Sequence, residues 1–103
     1  MTKKEVYDML SQAAPTFYSH APIGTQLPFI TYTADHSGNF GADDKVYKQV
    51  TGIRAVLYIA ADDTETENNL NVLLDDEHIY WTSEEDYNED NEVYTIIYEM
   101  EVI

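Results

Sequence analysis

The chain has 103 residues, enough for one domain, because a second core would be too small to offset its own conformational entropy. Twenty acidic residues against five basic ones leave a formal charge of −15, which argues against unaided nucleic-acid binding and makes copies of the protein repel one another at low salt. The absence of cysteine excludes disulfides, thiolate metal sites and a cysteine nucleophile, and a hydrophobic fraction of 44% with nine Tyr, three Phe and one Trp favours a globular fold over disorder.

Thr2-Lys3-Lys4-Glu5 reads as a capping box, and Val6, Met9, Leu10 and Ala13 follow at helical spacing until Pro15. The spacing predicts a helix over 2–14 with one narrow apolar stripe. Glu5 and Asp8 interrupt what a signal peptide would need as its apolar core. Residues 16–26 read as a connection whose Phe17 and Tyr18 pack on a sheet, with Gly24 as a turn residue. LPFITYTA, 27–34, is rich in β-branched and aromatic residues, and Pro28 restricts it to a strand start or an edge. GIRAVLYIA, 52–60, alternates Ile53, Ala55, Leu57 and Ile59 with Arg54, Val56 and Tyr58, so the second face of this strand is not fully polar.

Thr64-Glu65-Thr66-Glu67 reads as a second capping box, with Asp62 and Asp63 ahead of it favouring a helix N-terminus through the macrodipole. Leu70, Leu73 and Leu74 supply the stripe of a helix over 64–76. HIYWTS, 78–83, is a short strand, and VYTIIYEMEVI, 93–103, is the clearest one, with Tyr94, Ile96, Tyr98, Met100 and Val102 on one face. No run approaches the roughly 20 apolar residues of a membrane span.

The order is helix, strand, strand, helix, strand, strand, in a single domain over 1–103. Short links and two hairpin pairs predict an α+β, two-layer fold: a mainly antiparallel four-stranded sheet with both helices on one face. Its other face, bearing Val56, Tyr58 and Ile97, is partly apolar and needs cover. Self-assembly is the simplest cover.

No constellation in the chain carries chemistry. Asp86-x-Asn88-x-Asp90 matches the start of a calcium-binding EF-hand loop, but Asn91 stands where the sharp turn needs Gly and Ile97 where a bidentate Glu is required, so the stretch reads as a solvated acidic hairpin turn. His20, His36 and His78 follow no metal-ligand spacing, and with twenty carboxylates a nearby acid such as Asp35, Asp43 or Asp44 is expected by chance. No phosphate-cradling glycine loop or nucleophile elbow is present, so no cofactor, metal or catalytic residue is assigned. Asp75, Asp76 and Glu77 end the second helix where the macrodipole disfavours negative charge, which implies either fraying or a cationic partner.

LPFITY, NFGADDKVYKQV, AVLYIAADDTETENNL and the closing VYTIIYEMEV together resemble small proteins encoded among the head-to-tail genes of siphophages and prophages of Gram-positive bacteria, described as minor capsid, tail-completion or tail-terminator-like proteins. The resemblance runs from about Phe17 to Ile103. It implies a non-enzymatic virion component, assembled in the host bacterial cytoplasm. Such a component forms a ring, typically a hexamer, that stops tail-tube growth and joins the tail to the head connector. Phage DNA passes through such a ring without specific binding, and no membrane is involved. An acidic lumen would suit that passage by repelling phosphates.

In this setting SGNFGADDKVYKQV, 37–50, becomes a hairpin arm between the first two strands. Phe40 sits among turn-forming Gly38, Asn39 and Gly41, and would anchor a neighbouring subunit, while Lys45 and Lys48 offer positive charge to an acidic neighbour. Phe40, Asp43, Asp44, Lys45, Tyr47 and Lys48 are the candidate interface residues; the alternative is that Phe40 folds back onto its own sheet. The competing function from another class is an acidic DNA mimic whose carboxylates imitate phosphates to occupy a host nucleic-acid-binding protein.

Overall fold

Two helices and five strands make up the computed structural model, which describes residues 3–34, 51–88 and 92–102. In order they are α1 (Lys3–Ser11), β1 (Thr16–Tyr18), β2 (Phe29–Ala34), β3 (Thr51–Ala60), α2 (Thr64–Asp76), β4 (Tyr80–Asn88) and β5 (Val93–Val102). They form one α+β unit around a mixed five-stranded sheet of order β1-β2-β3-β5-β4. The expected four strands are present with the expected antiparallel pairings, β2 with β3 and β4 with β5, and β3 joins the two hairpins through β5.

The sheet corrects the sequence reading by one strand. Thr16–Tyr18, expected within a connection, pairs in parallel with β2, placing Phe17 opposite Thr31 and Tyr18 opposite Tyr32. Local hydrogen bonds lock this segment: Ile30 N–H donates to the Pro15 carbonyl at 2.8 Å, Ser19 N–H to the Tyr32 carbonyl at 2.8 Å, and the buried Thr16 hydroxyl to the Ala14 carbonyl at 2.9 Å. Three residues are too few for a periodicity signal, so tertiary pairing makes a strand where local sequence shows none. Helix α1 is also shorter than the predicted 2–14, ending at Ser11 in a tightened turn in which Gln12 N–H bonds the Met9 carbonyl. Thr2 of the first capping box lies outside the described residues.

Helix α2 has the predicted bounds but a different cap. Asp63, one residue ahead of the expected Thr64, accepts from Thr66 N–H at 3.1 Å and from the Thr66 hydroxyl at 2.8 Å. A carboxylate at this position satisfies an orphan amide and also faces the positive end of the helix dipole. The expected fraying at the other end is overturned. Ile79 N–H donates to the Leu74 carbonyl and His78 N–H to the Asp75 carbonyl, each at 3.0 Å, with His78 at φ 56°. This is a Schellman closure with histidine in the left-handed position usually taken by glycine. Asp75 gains a donor of its own, since Trp81 Nε1–H bonds its Oδ1 at 3.0 Å.

Both helices lie on the same face of the sheet. Val6, Met9 and Leu10 of α1 and Leu70 and Leu74 of α2 form a single buried cluster with Ile30, Tyr32, Ile53, Ala55, Leu57, Ile59, Ile96, Tyr98, Met100 and Val102. The strand members of this set are alternate residues, so the core consumes one face of the sheet and leaves the other outside.

Candidate functional site

The face turned away from the helices can be read row by row from the register. Phe17, Thr31, Val56, Ile97 and Glu84 run across all five strands, flanked on one side by Phe29, Tyr58, Thr95 and Asp86 and on the other by Thr33, Arg54, Glu99 and Thr82. Beyond the last row Glu101 pairs with Tyr80. The composition changes across the sheet. Over β1, β2 and β3 the face carries Phe17, Phe29, Val56 and Tyr58, all half-buried, whereas over β5 and β4 it carries Glu99, Glu101, Glu84 and Asp86, all exposed. Among the described residues Arg54 is the one basic side chain on this face, directly opposite Glu99.

The apolar half is ordered by its own contacts. The rings of Phe29 and Tyr58, paired across β2 and β3, stack with centroids 4.5 Å apart and planes 21° apart, an arrangement that contributes about 0.5–1.5 kcal/mol beyond the area it buries. Beside them the turn after β1 lines a shallow cleft with Ser19, His20, Pro22 and Gly24. That turn is closed by Thr25, whose N–H and hydroxyl both donate to the Pro22 carbonyl, and its tip needs Gly24 at φ 89°. The turn holds Ile23 fully in solvent, and Tyr80, at the opposite end of the face, is 72% exposed. Both are large apolar side chains left exposed. At the acidic end Thr82, Glu84, Ile97 and Glu99 line a second hollow. The face thus divides into side chains suited to apolar packing on one half and carboxylates suited to pairing with positive charge on the other.

A second polar feature lies on the helix side. Glu67, in the first turn of α2, shares a side-chain hydrogen bond with Glu85 of β4, and its carboxyl is pushed above its ordinary value of 4.5 by burial first and then by the Glu85 charge and that bond. Glu67 is free to make that bond because Asp63, not the predicted Thr64–Glu67 pair, caps the helix. Nearby, Tyr98 is fully buried and its hydroxyl donates to Asn71 Oδ1 at 2.8 Å. Burial, then the Glu67 and Glu85 charges, raise the Tyr98 phenol far above its ordinary value of 10.0, so it is a neutral donor.

The residues singled out from sequence fare unequally. Phe40, Asp43, Asp44, Lys45, Tyr47 and Lys48 all lie outside the described residues, as does His36. His20 and His78 are exposed in separate turns, and among the described residues no group of three or more His, Asp or Glu could hold a metal ion. Asp86 and Asn88, expected in a hairpin turn, instead extend β4 and pair with Thr95 and Val93. That extension is what brings Glu84 and Asp86 onto the open face. The missed signal was alternation: Thr82, Glu84 and Asp86 share one side, but their uniform polarity hides the strand period.

No protein-family model matches the chain, and no curated protein matches it. Among the described residues no helix is long and apolar enough to cross a membrane.

Proposed function

We propose that the protein is a non-enzymatic structural subunit of a phage particle, acting in tail completion or head-to-tail joining as one member of a ring, in the manner of a tail terminator. The observation that carries this reading is the open sheet face, half aromatic and half acidic, lying opposite a complete core. A face of that kind is incomplete in a lone subunit and is completed by a neighbour. The sequence resemblance described above supplies the particle, and a hexamer is the ring size it implies. The tail tube and head connector are the neighbours along the axis, and DNA passes without specific contact.

The test is mass spectrometry of purified virions of a phage that encodes the chain, together with electron microscopy of the purified protein for rings. The subunit is expected in the particle in near-stoichiometric ring amounts. Its absence from virions, combined with tight, salt-sensitive binding to a basic host protein, would replace this reading with the DNA-mimic one, in which the carboxylates of β4, β5 and α2 stand in for phosphates.

A further inference from the structure

We propose that the outer edge of β4 is a docking site for an extended, lysine- or arginine-rich segment of another protein, which adds to the sheet as a sixth strand. The backbone supplies the first reason. The sheet order β1-β2-β3-β5-β4 puts β1 and β4 at its two edges. β1 has three residues, whereas β4 has nine and pairs with β5 along all of them, so it is held extended over about 30 Å at about 3.3 Å per residue. In an antiparallel pair about half of an edge strand's residues turn both N–H and C=O away from the neighbour. Among the described residues no strand takes up those groups on β4. They are a template on which a further strand forms.

The side chains decide which strand that is. Thr82, Ser83, Glu84, Glu85 and Asp86 are successive and all exposed. Two copies paired edge to edge through β4 would bring Glu84, Glu85 and Asp86 of one against the same carboxylates of the other, the arrangement that charged edges prevent. A basic strand meets the opposite situation on both faces of the sheet. On the open face its alternate side chains lie beside Thr82 and Glu84, and β5 places Glu99 directly behind Thr82. Thr82 is short and lines two hollows there, one with Tyr80, Glu99 and Glu101 and the other with Glu84 and Glu99. Glu99 is two strand spacings, about 9.6 Å, from the added backbone, within reach of a long basic side chain that crosses Thr82. The next side chain on that face, about 6.6 Å along, meets Glu84. On the helix face the side chain beside Glu85 approaches a further acidic hollow, lined by Glu85, Glu67 and Asp63. Both alternations thus find carboxylates at the strand spacing. An acidic strand is repelled from these positions, and an uncharged one leaves carboxylates to lose water without pairing.

The proposal goes beyond the ring reading and does not depend on it, since its test uses the purified full chain and a synthetic peptide. The probe is a peptide of alternating lysine and threonine, as long as β4; the control is the same sequence N-methylated along its backbone, which keeps every charge and has no backbone donors. Binding is followed by fluorescence anisotropy at about 0.15 M salt, and exchange of the backbone amides by NMR. The plain peptide should bind and should slow exchange at alternate amides within Tyr80–Asn88. The N-methylated peptide should bind about tenfold more weakly. Glu84→Gln with Glu99→Gln should weaken binding about fivefold, whereas Glu5→Gln with Asp8→Asn, at exposed positions of α1, should leave it unchanged. Each pair removes two negative charges, so both proteins move equally from −15 to −13. Equal losses in the two proteins, or equal binding of the two peptides, would reduce the effect to attraction between a polyanion and a polycation and overturn the proposal. It is also overturned by no binding at this salt, by protection confined to the aromatic half of the open face, or by protection of the β4 amides in concentrated protein without peptide, which would assign the edge to a second copy.

Discussion

Tyr98 is the most demanding place to perturb this fold, because a fully buried ring in the strand next to the sheet centre also makes a polar bond. Its hydroxyl donates to Asn71 Oδ1 at 2.8 Å and its ring packs at 5.5 Å from that of Trp81. Tyr98→Phe keeps the ring and deletes the bond, which should cost about 0.5–1.5 kcal/mol. For a domain of this size about 1 kcal/mol lowers the melting temperature by roughly 4–8 °C. Tyr98→Asp removes the ring as well, a loss of about 3–5 kcal/mol for an aromatic, and places a carboxylate where the tyrosine has no exposure, beside Glu67 and Glu85. Against a total stability of about 5–15 kcal/mol that change should leave little folded protein at room temperature. Glu99→Lys, one residue along on the open face, should shift stability by no more than about 0.5 kcal/mol. Thermal melting followed by circular dichroism reads all three. If Tyr98→Asp and Glu99→Lys melt together, the assignment of faces is wrong. If Tyr98→Phe and Asn71→Ala show no coupling in a double-mutant cycle, the bond between α2 and β5 does not contribute.

Three further outcomes follow from the helix α2 region. Asp63→Ala should cost about 1–2 kcal/mol because it removes the acceptor for both Thr66 bonds, whereas Thr64→Ala should cost under about 0.5 kcal/mol; equal losses in denaturant melts would restore Thr64 as the cap. Glu67 has a folded-state pKa above its ordinary 4.5, so its contribution is fully present below that value and is lost as pH rises through the folded pKa. Glu67→Gln should therefore be more stable than the parent at neutral pH, with the gap closing as the pH falls toward 4.5; a gap independent of pH would mean that burial and the Glu85 charge do not raise the Glu67 carboxyl. His78→Gly should stabilise by about 0.5–1 kcal/mol, since glycine takes the left-handed closure of α2 without the Cβ clash, partly offset by its greater unfolded-state entropy. A loss of stability there would show that the His78 side chain contributes contacts that outweigh its strain.

How much of this was visible beforehand depended on whether polarity alternated with the local period. β3 and β5 carried period-two contrast, and their predicted inward residues, from Ile53 to Ile59 and from Tyr94 to Val102, are the buried ones except Tyr94, which is half-buried against the core. Helix α2 was equally legible through Leu70 and Leu74. The two missed strand segments share one cause. Thr16–Tyr18 is made a strand by pairing with β2, and Glu84–Asn88 by pairing with β5, so in both cases the decisive hydrogen bonds are remote in sequence. The helix cap failed for another reason. Asp62, Asp63 and Thr64 are all competent N-caps, and sequence preference alone does not choose among three adjacent ones. For the candidate site, the apolar half was anticipated through Val56 and Tyr58, while Asp86 of the acidic half came from a stretch read as a turn. The six residues first proposed as the interface all fall outside the described residues.

The two halves of the open face also bear on how a protein of large net charge could fill the proposed role in assembly. Repulsion between copies acts over the whole surface, but at physiological ionic strength it is screened within about 8 Å, whereas packing and charge-assisted hydrogen bonds act at contact, below about 4 Å. A protein carrying −15 therefore stays dispersed at low salt until a matched surface comes within reach. On this face the matched surface is specific in orientation. An apolar group placed over Glu84 and Asp86 would strip water from carboxylates without compensation, and a lysine over the stacked Phe29 and Tyr58 would lie one to three strands from the acids on β5 and β4 that should pair with it. The gradient from aromatic to acidic across the strands thus fixes which way round a partner lies. That is the property a ring requires of every junction, because a contact accepted in two orientations would give open chains as readily as a closed assembly.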